Sequence, residues 1–173
     1  MSFELQPTLS GDLVALHPLA EDDFDVLFSV ARDPLIWEQH PDRERYTEAR
    51  FRVFFRVAME SGGALLAIER ATGRVIGSSR YHRYSAALRE IEIGWTFLAR
   101  EFWGGRYNGE MKRLMLEHAF RWVDRVLFYI GPENLRSQWA VEKIGAVPAG
   151  TGIDATGSDS SIFAITREAY FRT

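Results

Sequence analysis

The sequence predicts an α+β fold in which helices cover a sheet. Two periodicities support this prediction, because apolar residues recur every three or four positions in some segments and alternate with polar residues in others. Clusters of Gly, Pro and Asp separate these segments. The 173 residues show no internal repeat, low-complexity tract or linker, so we expect one domain over 1–173.

A strand, two helices and a β-hairpin are predicted for the first half of the chain. Apolar spacing predicts a helix over 21–31 and another from Thr47, the second ended by glycines after Ser61. Alternation and turn residues predict strands at 13–16, 64–68 and 75–84. The last two strands form a hairpin across Thr72-Gly73.

The next predicted strand, over 88–98, has an apolar face and a polar face. Side chains alternate along a strand, so the two kinds of residue should fall on opposite sides. The expected apolar face consists of Ile91, Ile93, Trp95 and Phe97, and the expected polar face of Glu90, Glu92, Gly94 and Thr96.

The rest of the chain is predicted to form two helices and three strands. A glycine-rich turn at 103–105 leads into a helix that runs to about Val123. The remaining predicted elements are a strand at 126–130, a helix from Asn134 to Ile144 ended by Gly145, and strands at 147–153 and 160–166.

Composition excludes several classes of protein. The chain has no cysteine, which rules out thiolate nucleophiles, thiolate zinc sites and disulfides. Its four histidines are scattered, so we expect no metal site. The N-terminus lacks the pattern of a secretory signal, and no run approaches the ~18 apolar residues of a membrane span. We therefore expect a cytoplasmic protein that does not bind membranes. At a net charge of −3, its overall electrostatic field should not attract nucleic acid either.

A glycine-rich turn between a predicted strand and a predicted helix indicates an anion site. The run Trp103-Gly-Gly-Arg-Tyr-Asn-Gly109 lets the backbone approach a ligand closely, and the amides at a helix start attract phosphate. The run is not a nucleoside-triphosphate loop, which needs Gly-Lys-Ser/Thr, and it lacks the third glycine of a dinucleotide fingerprint. Taken alone, such a turn is also compatible with a tight connection that binds nothing.

A second polar segment begins the helix predicted after the strand at 126–130. Asn134 lies near the first turn and Ser137 one turn later, so both side chains project on the same side near the helix N-terminus. Helix capping and a solvated face are the simpler explanation of this segment alone.

Together the two segments resemble the GNAT superfamily of N-acetyltransferases, and more closely its ribosomal-protein N-acetyltransferase (RimJ/RimL) branch. The resemblance spans nearly the whole chain and rests on the order of elements, the Glu92-Ile-Gly-Trp strand and the glycine turn. Its most specific part is the Asn-x-x-Ser-x-x-Ala-x-x-Lys-x-Gly run that starts at Asn134. It implies a single N-acetyltransferase domain whose mixed, mostly antiparallel sheet has a V-shaped splay between two central strands.

The resemblance implies that acetyl-coenzyme A is the cosubstrate. Its pyrophosphate would bind at the glycine turn, and its pantetheine arm would fill the splay between the strands at 88–98 and 126–130. The residues implied in cofactor binding are Phe97, Leu98, Trp103, Gly104, Gly105, Arg106, Tyr107, Asn108, Gly109 and Asn134.

Two residues are candidates for catalysis. Ser137 matches a position that is proposed in this branch to protonate the departing thiolate. Glu92 is the candidate base, because it lies on the polar face close to the splay, and Glu90 is the second choice. A structural ion pair between Glu92 and Arg80 is the alternative. Because the chain has no cysteine, we expect direct transfer without an enzyme thioester.

The acceptor is expected to be a primary amine, either a small molecule or a peptide N-terminus. In the family, the loop and helices after the first strand line the acceptor cleft, which here includes Trp37, His40, Tyr46 and Phe51. A non-catalytic acyl-coenzyme A sensor of the same fold is the alternative, because the glycine turn departs from the family's pattern. A homodimer is compatible with the sequence.

Overall fold

The computed structural model describes residues 2–172, and its strands form one sheet. The strands are Leu9–Ser10 (β1), Val14–Pro18 (β2), Ala64–Glu69 (β3), Val75–Ser85 (β4), Glu90–Leu98 (β5), Arg125–Ile130 (β6), Val147–Ile153 (β7) and Asp159–Thr166 (β8). Their order across the sheet is β1-β2-β3-β4-β5-β6-β8-β7. All neighbours are antiparallel except β5 and β6, which confirms the predicted mixed, mostly antiparallel sheet.

Helices follow the strands in the predicted order. They are Phe24–Ala31 (α1), Glu48–Ser61 (α2), Arg106–Ala119 (α3), Leu135–Lys143 (α4) and Arg167–Arg172 (α5). Thr47 caps α2, and Gly62 ends it in the left-handed conformation at φ 65°. The helix predicted to reach Val123 ends earlier, because the N–H groups of Trp122 and Val123 both donate to the Ala119 carbonyl in a tight turn. Sequence patterns missed β1 and α5, whose two and six residues are too short to show a period.

The sheet opens between β5 and β6. The parallel pairing contains Glu90 opposite Arg125, Ile91 opposite Val126 and Glu92 opposite Leu127, and it ends there. Beyond this point β6 stays paired with β8 as far as Ile130, while β5 stays paired with β4. The carboxyl-terminal parts of β5 and β6 therefore flank a gap, which is the predicted splay.

A β-bulge in β5 reverses the predicted alternation of its side chains. Ser78 pairs with Phe97 and Arg80 with Gly94, so two residues, Trp95 and Thr96, lie opposite one residue of β4. Trp95, at the bulge, takes a φ of 51°, which is uncommon for a residue other than glycine. The prediction for the end of the strand was therefore wrong. Trp95 contacts Arg80 and His82 on the face of Glu92, whereas Thr96 turns to the opposite face.

The two faces of the sheet have different cores. Aromatic rings dominate one side, where Phe51 and Phe54 of α2 pack against Phe97 of β5. On the other side α3 packs against the sheet, and the buried Tyr81 hydroxyl donates to the Met115 carbonyl at 2.6 Å. Glu92 and the bulge thus face the aromatic side, next to the segments that follow β2.

One carboxylate of α3 ties the helix to the start of β2. Glu110 accepts three backbone N–H groups, from Asp12 at 2.9 Å and from Leu13 and Val14 at 2.7 Å each. Burial alone would raise the pKa of Glu110, but these hydrogen bonds and Arg113 outweigh it, so the pKa lies below its usual value.

We expect Glu110→Gln to lower the free energy of unfolding by about 2–3 kcal/mol near neutral pH, because an ionised acceptor of three amides is lost. The lowered folded-state pKa means that this stabilisation is complete above the unfolded-state pKa and disappears as the pH falls through the folded-state value. Urea unfolding of both proteins at neutral and acidic pH measures the difference. Glu117→Gln is the matched control, since Glu117 lies on the same helix and pairs with exposed Arg113. Equal losses in the two variants would contradict the assignment.

Candidate functional site

The gap between β5 and β6 is bounded by the N-termini of two helices. The chain leaves β5 through the glycine turn into α3, and it leaves β6 through Gly131-Pro132 into α4. Each helix therefore directs its first amides and its positive dipole end to the same edge of the sheet. The sequence-predicted cofactor residues lie along this edge.

The glycine turn exposes consecutive backbone donors. Gly104 and Gly105 have φ angles of 105° and 108°, and a Cβ at either position would meet no atom within 4 Å. Within residues 2–172, the N–H groups from Gly104 to Asn108 make no hydrogen bond. The Gly109 N–H is different, since it donates to the Gly105 carbonyl at 2.7 Å. Free amides at a helix start with open space above them suit a phosphate, and the exposed Arg106 side chain adds a positive charge nearby.

Two side chains of this turn have structural partners. Tyr107 donates its hydroxyl to Glu69 of β3 at 3.0 Å, so only its backbone N–H is left for a ligand at the turn. Trp103 donates its indole N–H to the Leu98 carbonyl at 2.9 Å. The Arg136 guanidinium of α4 stacks 4.0 Å from the centre of the Trp103 ring. The Trp103–Arg136 pair therefore links the two sides of the gap.

Leu98 and Phe97 direct their backbone groups differently. The Ala99 N–H donates to the Ile76 carbonyl, and Leu98 lies opposite Gly77, so the Leu98 N–H and carbonyl point away from β4. The Phe97 carbonyl instead lies against Gly77, where an added Cβ would come within 1.9 Å of it. Of the two, only Leu98 offers backbone groups to the gap.

Asn134 and Ser137 meet at the start of α4. Asn134 is buried, and its side-chain oxygen accepts the Ser137 N–H at 3.3 Å, as expected of a helix cap. Its amide nitrogen makes no hydrogen bond within the described part of the chain. Ser137 is half-buried, and its hydroxyl likewise has no hydrogen-bond partner among residues 2–172. Helix capping therefore leaves the Asn134 amide nitrogen and the Ser137 hydroxyl available at the edge of the gap between β5 and β6.

Glu92 lies at the point where β5 and β6 separate. It is buried, and its nearest partners are His82 Nδ1 at 3.5 Å and Arg83 Nε at 3.7 Å. These partners differ from the ion pair with Arg80 that the sequence suggested. Glu90, the second choice, binds Arg125 at 2.7 Å within the paired part of β5 and β6. The carboxylate of Glu92 is the one placed at the apex of the splay.

Sequence patterns missed three buried cations around the bulge. Lys112 of α3 contacts Thr96 and Ser79 and lies 5.8 Å from the Phe128 ring centre, and burial lowers its pKa to about 7. Arg45 and Arg80 lie on the aromatic side of the sheet. No sequence signal marks them, because each has polar or charged neighbours along the chain and charged residues are usually exposed.

Two absences complete the description of residues 2–172. No group of three or more His, Cys, Asp or Glu side chains is placed to hold a metal ion. None of the helices described is both long and apolar enough to cross a bilayer.

Comparison with known proteins identifies the family. Residues 14–147 match the model of the acetyltransferase (GNAT) domain. A GCN5-related N-acetyltransferase from Brucella melitensis superposes with a TM-score of 0.83 at 21% identity, covering 95% of this chain and 80% of that one. RimJ from Mycobacterium smegmatis, solved with CoA-disulfide, gives a TM-score of 0.67 at 20% identity over 90% and 82% of the chains. Spermidine N-acetyltransferase from Vibrio cholerae, solved with CoA and spermine, gives 0.69 at 14% identity over 93% and 99%. With the family model matching most of its length, the chain belongs to the GNAT acetyltransferase family and is an N-acetyltransferase.

Proposed function

We propose that this enzyme transfers the acetyl group of acetyl-coenzyme A directly to a primary amine and that it belongs to the RimJ/RimL-like branch. The observation that supports the proposal most is the gap between β5 and β6, which has free amides at its outer end and Glu92 at its apex. The structural likeness to RimJ agrees with the branch. We further propose that the protein is cytoplasmic.

The binding roles follow from the donors and acceptors that border the gap. The amides from Gly104 to Asn108 hold the pyrophosphate, and Arg106 adds charge. The free amide nitrogen of Asn134 and the Leu98 backbone hold the amides of the pantetheine arm. The Leu98 carbonyl becomes free for this role when Trp103 releases it. Acetyl-coenzyme A supplies the acetyl group as a reactive thioester.

The catalytic roles follow from the positions of Glu92 and Ser137. Glu92 accepts the proton that the amine nitrogen loses as that nitrogen bonds to the thioester carbonyl carbon. Ser137 donates a proton to the sulfur as the carbon–sulfur bond breaks. The products are an amide and the free thiol of coenzyme A, and the cycle closes when Glu92 releases its proton to solvent and the Ser137 hydroxyl recovers one from solvent.

A second candidate is a non-catalytic acyl-coenzyme A sensor. The hydrogen bond from Trp103 to the Leu98 carbonyl favours it, because that carbonyl would otherwise face the pantetheine arm. Calorimetry with coenzyme A and a thiol-release assay over a panel of amines separate the candidates. Binding without thiol release from any amine supports the sensor, whereas amine-dependent release supports the transferase. Absence of binding would contradict both.

Ser137→Ala is expected to lower kcat about 10- to 100-fold while the Kd for coenzyme A changes less than about threefold, because a proton donor is lost and the phosphate-binding amides are kept. Ser29→Ala, on the exposed surface of α1, is the control and should match the parent enzyme. An unchanged kcat for Ser137→Ala would remove Ser137 from the mechanism.

A further inference from the structure

Two arginines lie buried on the aromatic side of the sheet without a hydrogen bond to any carboxylate. Arg80 of β4 is 2% exposed, and Arg45, which precedes α2, is 9% exposed. The Nε atom of each is buried and has no hydrogen-bond partner. Within the described residues the Arg80 side chain makes no hydrogen bond. Buried guanidinium groups normally have acceptors, because an unpaired buried charge destabilises the fold.

Aromatic rings surround the two guanidinium groups without replacing an acceptor. The Arg80 guanidinium lies 4.4 Å from the Trp95 ring centre and 5.4 Å from that of Phe54. The Arg45 guanidinium lies 4.7 Å from the Phe54 ring centre and 5.1 Å from that of Trp37. Such stacking stabilises the cations through the ring faces and leaves the in-plane N–H donors unused.

Neighbouring acids and the nearby histidine do not account for these donors. Asp42 approaches Arg45 Nε at 3.6 Å and also Arg50 at 3.5 Å, both too long for a hydrogen bond. Burial and Arg45 lower the pKa of His40 to about 4, so its ring is neutral at pH 7. His40 Nδ1 accepts the Asp42 N–H, so its hydrogen is on Nε2, and the 3.3 Å contact with Arg45 is not a hydrogen bond.

An opening in β5 lies directly opposite Arg80. Gly94 is its partner in the register, and a Cβ on Gly94 would meet only the Glu92 Oε1 atom, at 3.5 Å. Glycine inside a strand leaves room for a close ligand. The space above Gly94 is therefore bordered by Arg80 on one side and by the carboxylate of Glu92 on the other.

We propose that Arg80, assisted by Arg45, binds a carboxylate of the reactants, so that the acceptor is an amino acid whose amine lies at Glu92. This rests on the proposed function and specifies its substrate class. A planar guanidinium matches a carboxylate with two parallel hydrogen bonds and supplies the acceptors that both arginines lack. The same pair repels polycations, so spermidine, the substrate named for the Vibrio cholerae relative, should be a poor acceptor here.

The carboxylate has two chemical sources, the acceptor or the acyl group of the donor. The test therefore pairs L-amino acids and 4-aminobutyrate with their carboxamides as acceptors, and acetyl-coenzyme A with succinyl-coenzyme A as donors. We expect kcat/KM to favour carboxylate acceptors at least tenfold with the acetyl donor. A preference for succinyl-coenzyme A that is independent of the acceptor would place the bound carboxylate on the acyl group.

Arg80→Met should lower that preference at least tenfold, because the planar donors and their charge are removed. Arg80→Lys, which keeps the charge without the planar fork, should lose most of the preference. Arg56→Met is the control, since exposed Arg56 pairs with Glu60 on the same helix. Its selectivity should equal that of the parent enzyme.

Calorimetry on the complex with coenzyme A provides a second readout that needs no turnover. The subsite is supported if carboxylates bind, their carboxamides do not, and Arg80→Met loses this binding. This holds even if no amine is acylated, in which case only the proposed function fails. The subsite would be overturned if each carboxylate and its carboxamide had the same kcat/KM with both donors. Calorimetry would then show equal binding, or no binding, for the two members of each pair. The transferase activity would stand in that case if the carboxamides were acylated.

Discussion

Glu92→Gln is expected to lower kcat by about two to four orders of magnitude at neutral pH, the range found when a general base is removed. Glutamine keeps the size and planarity of the side chain but cannot accept the amine proton. The position makes the effect specific, because Glu92 lies at the last β5–β6 pair and next to the opening above Gly94. The Kd for coenzyme A should change less than about threefold, since the phosphate-binding amides lie at the opposite end of the gap.

Steady-state kinetics and calorimetry on the same preparations measure these two quantities. Glu90→Gln is the matched control on the same strand, because Glu90 pairs with exposed Arg125 where β5 and β6 are still joined. Its kcat should stay within about twofold of the parent enzyme. A Glu92→Gln enzyme that kept its kcat, with an unchanged melting temperature, would show that the amine proton leaves by another route. Glu92 would then be a structural partner of His82 and Arg83.

Lys112→Met is expected to stabilise the protein by about 3 kcal/mol at pH 7, as urea unfolding would measure. Burial lowers the pKa of Lys112 to about 7, which means that the desolvated ammonium group destabilises the folded state at that pH. Methionine has a similar length and suits the contact with the Phe128 ring. The hydroxyls of Ser79 and Thr96 remain paired with each other at 2.8 Å, so neither is left without a partner.

The pH dependence identifies the cause. Between about pH 7 and the unfolded-state pKa of 10.5, the unfolded chain binds one more proton at Lys112 than the folded chain. The stability of the parent protein therefore rises with pH in this window by up to about 1.4 kcal/mol per unit. The advantage of Lys112→Met should be largest below pH 7 and should shrink as the pH rises. Lys143→Met, at an exposed position of α4, is the control and should show no such trend. A constant advantage at all pH values would contradict a titrating Lys112.

Strands and helices were predictable where local signals agreed. Thr47 and Gly62 bound α2, and Gly145 follows α4 with a φ of 97°. The glycine turn itself was also predictable, since Gly104 and Gly105 take conformations that other residues avoid. In each of these cases the physical cause lies within a few residues of the signal.

The arrangement around Glu92 was less predictable. Strict alternation placed Trp95, Thr96 and Phe97 on the wrong faces, because a bulge depends on pairing with β4 rather than on the residues of β5. For the same reason, the sequence suggested Arg80 as the partner of Glu92, whereas its nearest partners are His82 and Arg83. Register between strands is decided by contacts across the sheet, which a linear pattern does not contain.

The sequence by itself determined the order of elements, the absence of cysteine chemistry and the helix starts that border the gap. Tertiary structure alone decided where β5 and β6 part, which carboxylate lies at that point, and that Arg45, Arg80 and Lys112 are buried. The physical reason is that burial of a charge depends on what packs over it from distant segments. Arg80 of β4 and Lys112 of α3 reach β5, and Arg45 from the loop before α2 reaches Phe54, only when the sheet and helices have packed together.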